Sequence, residues 1–322
     1  MTGINHERMK AIVRKFNKKR ILVLGDLMMD KYIWGDVSRI SPEAPIPVVE
    51  VRKDTSCLGG AGNVSQNLLS LGAFPIHVGL VGRDKEGEWL KNNLPCDKGI
   101  FVLSDRPTTI KTRIIAHHQQ VVRVDKEDKR PIPPQLEEKI LAFIQKENFD
   151  GLLISDYNKG LIISSLLKRT LSFAQQKKIP VYVDPKVSNF FLFSPVSLIT
   201  PNHHEAEKIV HHECNSRRGV EKAGEKMLEK LSAQFLIIKR GEQGLSVFER
   251  GKKPLHIPTI AKEVYDVTGA GDTVIATASL ALLSDASIQE AAILANTAAG
   301  IVVGKLGTAS LTPEELLQAL PS

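Results

Sequence analysis

The alternation of apolar segments constrains the fold of this 322-residue chain more than any other feature. Short apolar runs rich in β-branched residues, the first at 21–24, alternate with longer segments whose apolar residues have helical spacing. Runs that are apolar along their whole length are typical of a parallel sheet covered by helices on both faces. We therefore predict an α/β fold with a central, mostly parallel sheet. Further strands are predicted at 76–81, 151–155, 181–184, 198–200 and 234–239, with helices near 61–71, 135–147, 162–177 and 219–231.

Two regions, about 31–53 and 99–124, depart from this rhythm because apolar and polar residues alternate in them, and the first is rich in proline. We predict antiparallel strands that pair with each other and form a small β lid over the ligand crevice. We expect a second copy of the protein to bury the outer face of the lid, which predicts a homodimer. With no internal repeat or linker, residues 1–322 are predicted to form one domain.

The charge balance favours small anionic ligands. Forty-three Lys and Arg residues against thirty-six Asp and Glu give a net charge of +7, which attracts nucleotides and sugar phosphates. Basic and acidic residues are mixed and no run alternates bases with aromatics, so nucleic acid is not a predicted partner. No apolar stretch approaches the ~18 residues of a membrane span, so no membrane partner is predicted. Three separated cysteines give no disulfide framework, which predicts a cytoplasmic location.

The segment 266–273, Asp-Val-Thr-Gly-Ala-Gly-Asp-Thr, precedes an apolar run and predicts a helix that begins within the glycines. Free N–H groups at such a start bind a phosphoryl group. Asp272 lies in the first turn, where the helix dipole favours a carboxylate, and we expect it to be ionised. Asp272 is then a candidate general base for an attacking hydroxyl, with the amides of Gly269, Ala270 and Gly271 stabilising the transferring group. A capping Asp after a glycine turn is the alternative.

A second glycine motif, Leu-Gly-Gly-Ala-Gly-Asn at 58–63, leads into another helical pattern. Gly59 and Gly60 allow a sugar ring to approach the main chain. The amide of Asn63 donates and accepts hydrogen bonds, which suits a polyol. An Asn that only caps the helix is the alternative interpretation.

Both motifs closely resemble the signatures of the ribokinase-like (PfkB) carbohydrate kinase family, and the resemblance covers essentially the whole chain. It implies a three-layer sandwich, ATP and Mg²⁺ as cofactors, and Asp272 as the catalytic base. It also implies that Gly59, Gly60 and Asn63 contact the acceptor sugar and that Asp30, at the end of the first strand, binds its hydroxyls.

The resemblance also implies a nucleotide site. Asn202 and Glu205 match a motif that helps to order magnesium and the nucleotide phosphates. Lys239, Gly241 and Gly244 match a nucleotide-binding turn, although the family more often has Thr at the position of Lys239. Asn296 matches a helix beside the adenine, and Asp266 and Thr268 match residues that supply oxygens to K⁺ in some relatives. The histidines at 203, 204, 211 and 212 fit no common structural zinc spacing.

The segments 38–45, 112–120, 155–160, 184–186 and 302–308 are similar to one branch of the family, the heptose 7-phosphate kinases. This implies transfer of phosphate from ATP to the anomeric hydroxyl of D-glycero-β-D-manno-heptose 7-phosphate, in lipopolysaccharide core biosynthesis. Because an anomeric hydroxyl is acidic, we expect a carboxylate of ordinary pKa to serve as its base. Cations are expected at the sugar phosphate, with Arg113 first and then Arg39 and Lys159, while Lys186 is expected at the transferring phosphoryl.

Two alternatives are open: a kinase of the family with another acceptor, such as fructose 1-phosphate or a nucleoside, and a non-catalytic sugar- or nucleotide-binding regulator. Asp272 argues against the regulator. A Rossmann dehydrogenase and a P-loop kinase are disfavoured because neither a GxGxxG after the first strand nor a GxxxxGK[ST] string occurs. Many bacterial relatives carry a nucleotidyltransferase domain with an HxGH-type motif. This chain has no such string, so we expect a separate nucleotidyltransferase.

Overall fold

The computed structural model describes residues 5–117, 119–261 and 263–320. These residues form two sheets, whose strands are Arg20–Gly25 (β1), Leu27–Ile40 (β2), Pro47–Gly60 (β3), Phe74–Gly82 (β4), Gly99–Leu103 (β5), Ile110–Ala116 (β6), Gln119–Lys126 (β7), Gly151–Ser155 (β8), Val181–Asp184 (β9), Val196–Ile199 (β10), Ala233–Lys239 (β11), Leu245–Glu249 (β12) and Leu255–Ile257 (β13). The α-helices are His6–Val13 (α1), Ala61–Ser70 (α2), Lys85–Asn93 (α3), Pro134–Lys146 (α4), Ser164–Gln176 (α5), His203–Val210 (α6), Arg217–Lys230 (α7), Ala270–Leu283 (α8), Ile288–Val302 (α9) and Pro313–Gln318 (α10).

The large sheet has the strand order β13-β12-β11-β10-β9-β8-β1-β4-β5. The strands from β11 to β5 in this order pair in parallel, while β12 and β13 add an antiparallel edge. Each predicted strand of the parallel sheet coincides with one of its strands, so the α/β prediction is confirmed.

Helices cover both faces of this sheet, which gives the predicted three layers. Along β1, Leu22 and Leu24 pack into one apolar cluster with α4, α5 and α7. Ile21 and Val23 pack into the other cluster with α1, α2, α8 and α9. Because alternate side chains of a strand point to opposite faces, burial on both sides requires the uniformly apolar sequence from which the strand was predicted.

The amino-terminal helix α1 docks on the body of the protein. It buries Met9, Ile12 and Val13, and Arg8 Nε donates a hydrogen bond to Glu290 Oε1 at 3.2 Å. Within the described ranges, no helix combines the length and the apolar character that crossing a bilayer requires.

The small sheet has the order β3-β2-β6-β7 and differs from the predicted lid in two respects. The β2–β6 pair is parallel, because β4, α3 and β5 lie between these strands in the chain and return it in the same direction. Residues 99–103 do not join the lid: they form β5, the edge of the large sheet, and Ile100 is buried in an apolar cluster with Leu27 and Val81. His118, within the predicted lid, lies outside the described residues.

The two sheets meet at the carboxyl end of β1. Only Asp26 separates β1 from β2, so the small sheet rises directly from the edge where the parallel strands end. Asp156 and Asp184 follow or end the neighbouring strands β8 and β9, and Asn202 bridges to Lys239 at the end of β11. This edge is where open α/β sheets form their ligand crevice.

Candidate active site

The start of α8 lies at this crevice. Gly269 caps the helix with a left-handed backbone, at φ +82°. A Cβ on Gly269 would lie 2.5 Å from Asn63 Nδ2, so both the backbone angle and the close approach of α2 require glycine. The small and apolar residues that follow let α8 run through the core, where most of its side chains are buried.

Two hydrogen bonds hold the Asp272 carboxylate in the first turn of α8. Asn63 Nδ2 donates to Oδ2 at 2.8 Å, and the Tyr157 hydroxyl donates to Oδ1 at 2.7 Å. Only 4% of Asp272 is exposed to solvent. Each carboxylate oxygen accepts more than one hydrogen bond, so both keep capacity for a further donor.

Burial raises the pKa of Asp272 to about 6, and the nearby Asp184 carboxylate acts in the same direction. The donors Asn63 and Tyr157 and the ammonium of Lys239 oppose this rise. The expectation of an ordinary pKa is therefore wrong, because the first turn of α8 lies in the interior and not in solvent. At neutral pH the carboxylate is still mainly ionised and is well matched to accept a proton.

The sequence predicts free backbone amides at the start of α8, but not all of these amides are free. The Ala270 N–H donates to the Val267 carbonyl at 3.2 Å. The N–H groups of Gly271 and Asp272 lie in the first turn, where a helix offers them no internal acceptor. Lys239 Nζ lies 3.2 Å from the position that a Cβ on Gly271 would take, so a positive charge adjoins these amides.

Lys239 ends β11 and forms a largely buried ion pair with Asp184 Oδ1 at 2.5 Å. Asp184 also accepts a hydrogen bond from the Thr200 hydroxyl at 2.8 Å. These contacts fix the ammonium beside Gly271. Lysine in place of the more usual threonine thus adds a cation to a site that already favours anions.

A cleft of about 910 Å³ opens from this turn between the end of β11, α8 and α9. Its volume is that of a site for a small molecule. Gly244 has φ +82°, and a Cβ there would lie 2.1 Å from the Ile257 carbonyl oxygen, so the turn after β11 requires glycine. The residues predicted to bind the nucleotide all line this cleft: Lys186, Asn202, Lys239, Gly241, Gly244 and Asn296.

The residues predicted to bind the acceptor meet on the other side of Asp272. Asp30 of β2 is buried and accepts a hydrogen bond from Arg113 of β6 at 2.5 Å. Gly59 of β3 packs against it, since a Cβ on Gly59 would lie 2.3 Å from Asp30 Oδ2. Gly60, with φ +55°, caps α2, and Asn63 follows in the first turn. The small sheet and α2 thus bring Asp30 and the second glycine motif together.

Lys159 and Arg39 were also predicted to bind the sugar phosphate, but Lys159 is already paired and Arg39 lies far from Asp30. The Lys159 ammonium pairs with Glu127. Arg39 is exposed near the far end of β2, nine residues from Asp30, which is about 30 Å along an extended strand. Arg39 therefore lies outside the crevice of its own chain, because β2 extends away from Asp30.

Comparison with known proteins shows the family. The model of the pfkB family carbohydrate kinases matches residues 18–315. The chain is a pfkB family carbohydrate kinase. The kinase is similar to the bifunctional protein HldE of Pelobacter propionicus, with 40% identity over 98% of this chain and 66% of the relative. It is 44% identical to HldE of Nitratiruptor sp. over 93% of this chain and 64% of that relative. The kinase thus spans slightly less than two thirds of these relatives.

Solved structures show the same fold at low sequence identity. Arabidopsis thaliana ribokinase complexed with ribose and ATP superposes with a TM-score of 0.76 at 19% identity, covering 94% of this chain and 99% of that one. Escherichia coli phosphofructokinase-2 in complex with substrates and products gives 0.78 at 19% identity, covering 94% and 98%. The ribokinase-like fold is therefore confirmed, and membership of the family implies the use of ATP and Mg²⁺.

The residues around the cleft fit a magnesium ion that is carried mainly by the nucleotide. Glu205 and Asn202 form a reciprocal capping box at the start of α6, with Glu205 Oε2 accepting from the Asn202 N–H at 2.8 Å. Glu205 Oε1 accepts from Lys186 Nζ at 2.9 Å. Both oxygens are engaged, so Glu205 would reach the ion through water, as is common for Mg²⁺. Among the described residues, no group of three His, Cys, Asp or Glu side chains is arranged to hold a metal.

Asp266 ties two loops together. Its Oδ1 accepts from the Thr268 N–H at 2.8 Å and its Oδ2 from the Gly307 N–H at 3.1 Å. Both carboxylate oxygens are thus engaged with backbone, and a monovalent ion at Asp266 and Thr268 stays a prediction.

Sequence reasoning missed two side chains in the crevice. Lys111 of β6 is half-buried, lies two residues before Arg113 on the same face, and forms no salt bridge with a described residue. Its ammonium lies 5.1 Å from the ring centre of Tyr157, whose hydroxyl contacts Asp272. The alternation of side chains along β6 could have indicated that Lys111 lies on the same face as Arg113. Tyr157 had no comparable signal, because its contact with Asp272 joins segments 115 residues apart.

Proposed function

We propose that this kinase transfers the γ-phosphoryl group of ATP to the anomeric hydroxyl of D-glycero-β-D-manno-heptose 7-phosphate. The product is the 1,7-bisphosphate, an intermediate on the route to ADP-heptose and the lipopolysaccharide core. The observation that carries the kinase chemistry is the Asp272 carboxylate, held between the crevice of the small sheet and the cleft at α8. The choice of a heptose phosphate is supported by the five segments similar to heptose 7-phosphate kinases.

The chemistry follows from the positions of the residues. Asp272 accepts the proton of the acceptor hydroxyl as its oxygen attacks the γ-phosphorus, and the bond to the β-phosphate oxygen breaks to release ADP. The N–H groups of Gly271 and Asp272, together with the ammonium of Lys239 beside Gly271, stabilise negative charge on the transferring group. Mg²⁺, when bound with the nucleotide, neutralises phosphate charge, and Glu205 would hold it through water.

The cations of the small sheet favour an acceptor that already carries a phosphate. Arg113 is committed to Asp30, whereas Lys111 forms no ion pair with a described residue and is crowded by Lys159, Arg123 and Arg113. Burial lowers the pKa of Lys111, the Asp30 carboxylate opposes this, and the neighbouring cations lower it further. An anionic group on the acceptor would give this half-buried ammonium a partner. We therefore place the 7-phosphate near Lys111 and Arg113, with Lys159 behind them.

An acceptor screen tests this proposal. ADP release is measured with heptose 7-phosphate, fructose 6-phosphate, fructose 1-phosphate, ribose 5-phosphate, a nucleoside and unphosphorylated heptose. We expect kcat/KM for heptose 7-phosphate to exceed that for each other acceptor by at least about a hundredfold, since a site built for hydroxyl and phosphate groups rejects acceptors that lack them. Equal or greater activity on a fructose phosphate refutes the heptose assignment and leaves a sugar kinase. No ADP release with any acceptor supports the non-catalytic regulator.

We also propose that a second copy covers the outer face of the small sheet. Strand register places Ile33, Ile114 and Val122 in one row on the face opposite Asp30 and Lys111, and Val124 lies beside them. Val122 and Val124 are 45% and 54% exposed. Such an apolar face, with the unpaired edge of β7 next to it, favours association with another sheet. A nucleotidyltransferase that uses the product of this kinase stays a prediction.

A further inference from the structure

We propose that Tyr157 is a positioning residue of the kinase, whose hydroxyl keeps the Asp272 carboxylate aimed and ionised for proton abstraction. The inference rests on the proposed role of Asp272 as the base. It assigns a function to a tyrosine that has no place in either glycine motif.

Hydrogen bonds hold Tyr157 at two points. The Tyr157 hydroxyl lies 2.7 Å from Asp272 Oδ1, a short distance typical of a hydrogen bond to a charged oxygen. The backbone of Tyr157 is fixed as well, because its N–H donates to Asp26 Oδ2 at 2.8 Å. Asp26 lies between the two sheets. Tyr157 is therefore anchored both at its main chain and at its hydroxyl.

The surroundings of the Tyr157 hydroxyl keep it protonated. Burial, together with the negative charges of Asp272 and Asp184, holds the pKa of the Tyr157 phenol well above its ordinary value. The phenol therefore stays protonated and donates to Asp272. A donor to the charged form of a carboxylate favours ionisation, and so opposes the effect of burial on Asp272. The free electron pairs of Oδ1 and Oδ2 remain for the acceptor hydroxyl.

Two ammonium groups lie near the Tyr157 ring. Lys111 Nζ of the small sheet lies 5.1 Å from the ring centre, and Lys186 Nζ of the nucleotide cleft lies 5.2 Å from it. The phenol thus contacts cations from the acceptor side and from the nucleotide side. Cations near an aromatic ring withdraw electron density, which strengthens the hydroxyl as a donor.

Few charged groups face Asp272 directly. Asp184, at the end of β9, and Lys239, at the end of β11, are the charged groups that affect it most, while Asn63 of α2 is neutral. A substitution at Tyr157 that keeps the ring leaves all three in place. The pH profile of such a variant therefore reports on the hydroxyl alone.

Tyr157→Phe tests the proposal, because it keeps the ring and its cation contacts and removes one hydrogen bond. We expect the acidic limb of kcat/KM for the acceptor to move up by about one pH unit. Because a shift from about 6 to about 7 nearly halves the ionised fraction at pH 7, kcat is expected to fall about twofold at pH 7 and about tenfold at pH 5, with recovery at pH 9, while the KM for ATP stays within about twofold. Tyr182→Phe is the control: Tyr182 is buried in β9, away from the carboxylate, and its variant should keep the wild-type profile.

The outcomes separate the two ideas. A Tyr157→Phe enzyme with an unmoved acidic limb overturns the positioning role, whether activity is unchanged or is reduced equally at every pH. Activity retained by Asp272→Asn refutes the base itself, and therefore the chemistry under which Tyr157 was placed. If the Phe variant does not fold, 3-fluorotyrosine at position 157 replaces it. This residue is a stronger donor of nearly the same shape, so it should move the limb to lower pH, and a fixed limb again overturns the proposal.

Discussion

At Asp272, a single carboxylate receives hydrogen bonds from two distant parts of the chain, Asn63 of α2 and Tyr157 after β8. Burial alone raises the pKa of a carboxyl group and weakens its readiness to lose a proton at neutral pH. The two donors act against burial. The resulting pKa of about 6 leaves the carboxylate mainly ionised at neutral pH, which suits the proposed role as the base for an acidic hydroxyl.

This balance predicts the pH dependence of the kinase. The pKa of Asp272 is raised in the folded protein, so the carboxylate becomes protonated as the pH falls through about 6. A protonated Asp272 cannot accept a proton, and kcat/KM for the acceptor should decline below that pH with the slope of one ionisation. Steady-state rates between pH 5 and pH 9 check this limb, and a profile flat from pH 8 to pH 5 would contradict it.

Removing the base gives the matching result at fixed pH. Asp272→Asn should lower kcat at least about a thousandfold, since proton abstraction contributes about 10²–10⁴ and the transferring phosphoryl also loses its ordered neighbour. Binding of ATP, measured by calorimetry, should change little. Asp285→Asn is the control, because the Asp285 side chain is 73% exposed and pairs with Lys15 on the surface.

Individual residues show which parts of the candidate site could be predicted from the sequence and which could not. Asp272 was predicted because a helix start, a glycine turn and a carboxylate are adjacent in the chain. Arg39 and Lys111 show the limit: both are basic residues on lid strands, yet one lies at the exposed end of β2 and the other in the crevice. Their different positions depend on how each strand runs relative to the rest of the protein. A local sequence pattern does not contain that information.

At the scale of elements, β2 and β3 form one hairpin that carries the proposed acceptor site. The two strands pair from Leu27 opposite Gly60 to Ile40 opposite Pro47. Asp30 and Gly59 lie near the root of this hairpin, next to α2, where the backbone of β3 passes directly over the Asp30 carboxylate. The position of the carboxylate therefore depends on a residue without a side chain.

This contact predicts a selective loss of acceptor binding. Gly59→Ala places a Cβ within 2.3 Å of Asp30 Oδ2 and should displace the carboxylate and its partner Arg113. We expect the KM for the acceptor to rise about tenfold to a hundredfold, and the KM for ATP to stay within about twofold. Gly62→Ala, whose Cβ would have its nearest neighbour at 3.4 Å, is the matched control. A larger effect on ATP than on the acceptor would show that the hairpin does not act locally.

Elements differ in how far they could be predicted. The strands buried on both faces, such as β1 and β8, were predicted because their sequences are apolar at every position. Strands β12 and β13 were not, since Ser246 interrupts the apolar residues of β12 and β13 is only partly buried, and β5 was assigned to the lid instead of the edge of the large sheet. The parallel pairing of β2 with β6 was also missed, because it depends on the path of the intervening chain.

At the scale of the whole molecule, the small sheet has a charged inner face and an apolar outer face. Val124→Asp places a charge on the outer face, and we expect the proposed dimer to dissociate to monomers at micromolar concentration in sedimentation experiments. Val102→Asp is the control: Val102 is 42% exposed but lies on β5, at the edge of the large sheet. A wild-type chain that sediments as a monomer, or a Val124→Asp variant that stays dimeric, contradicts the proposed contact.

The burial of Asp272 has a consequence for the rate at which the nucleotide is hydrolysed when no sugar is bound. Water is the most abundant hydroxyl compound near any bound nucleotide, and its attack on the γ-phosphorus would be futile hydrolysis. With 4% of its surface exposed, Asp272 leaves little space for a mobile water to be activated. A sugar that fills the crevice carries its own hydroxyl to the same point. We therefore expect idle turnover of the nucleotide to be slow until the sugar arrives.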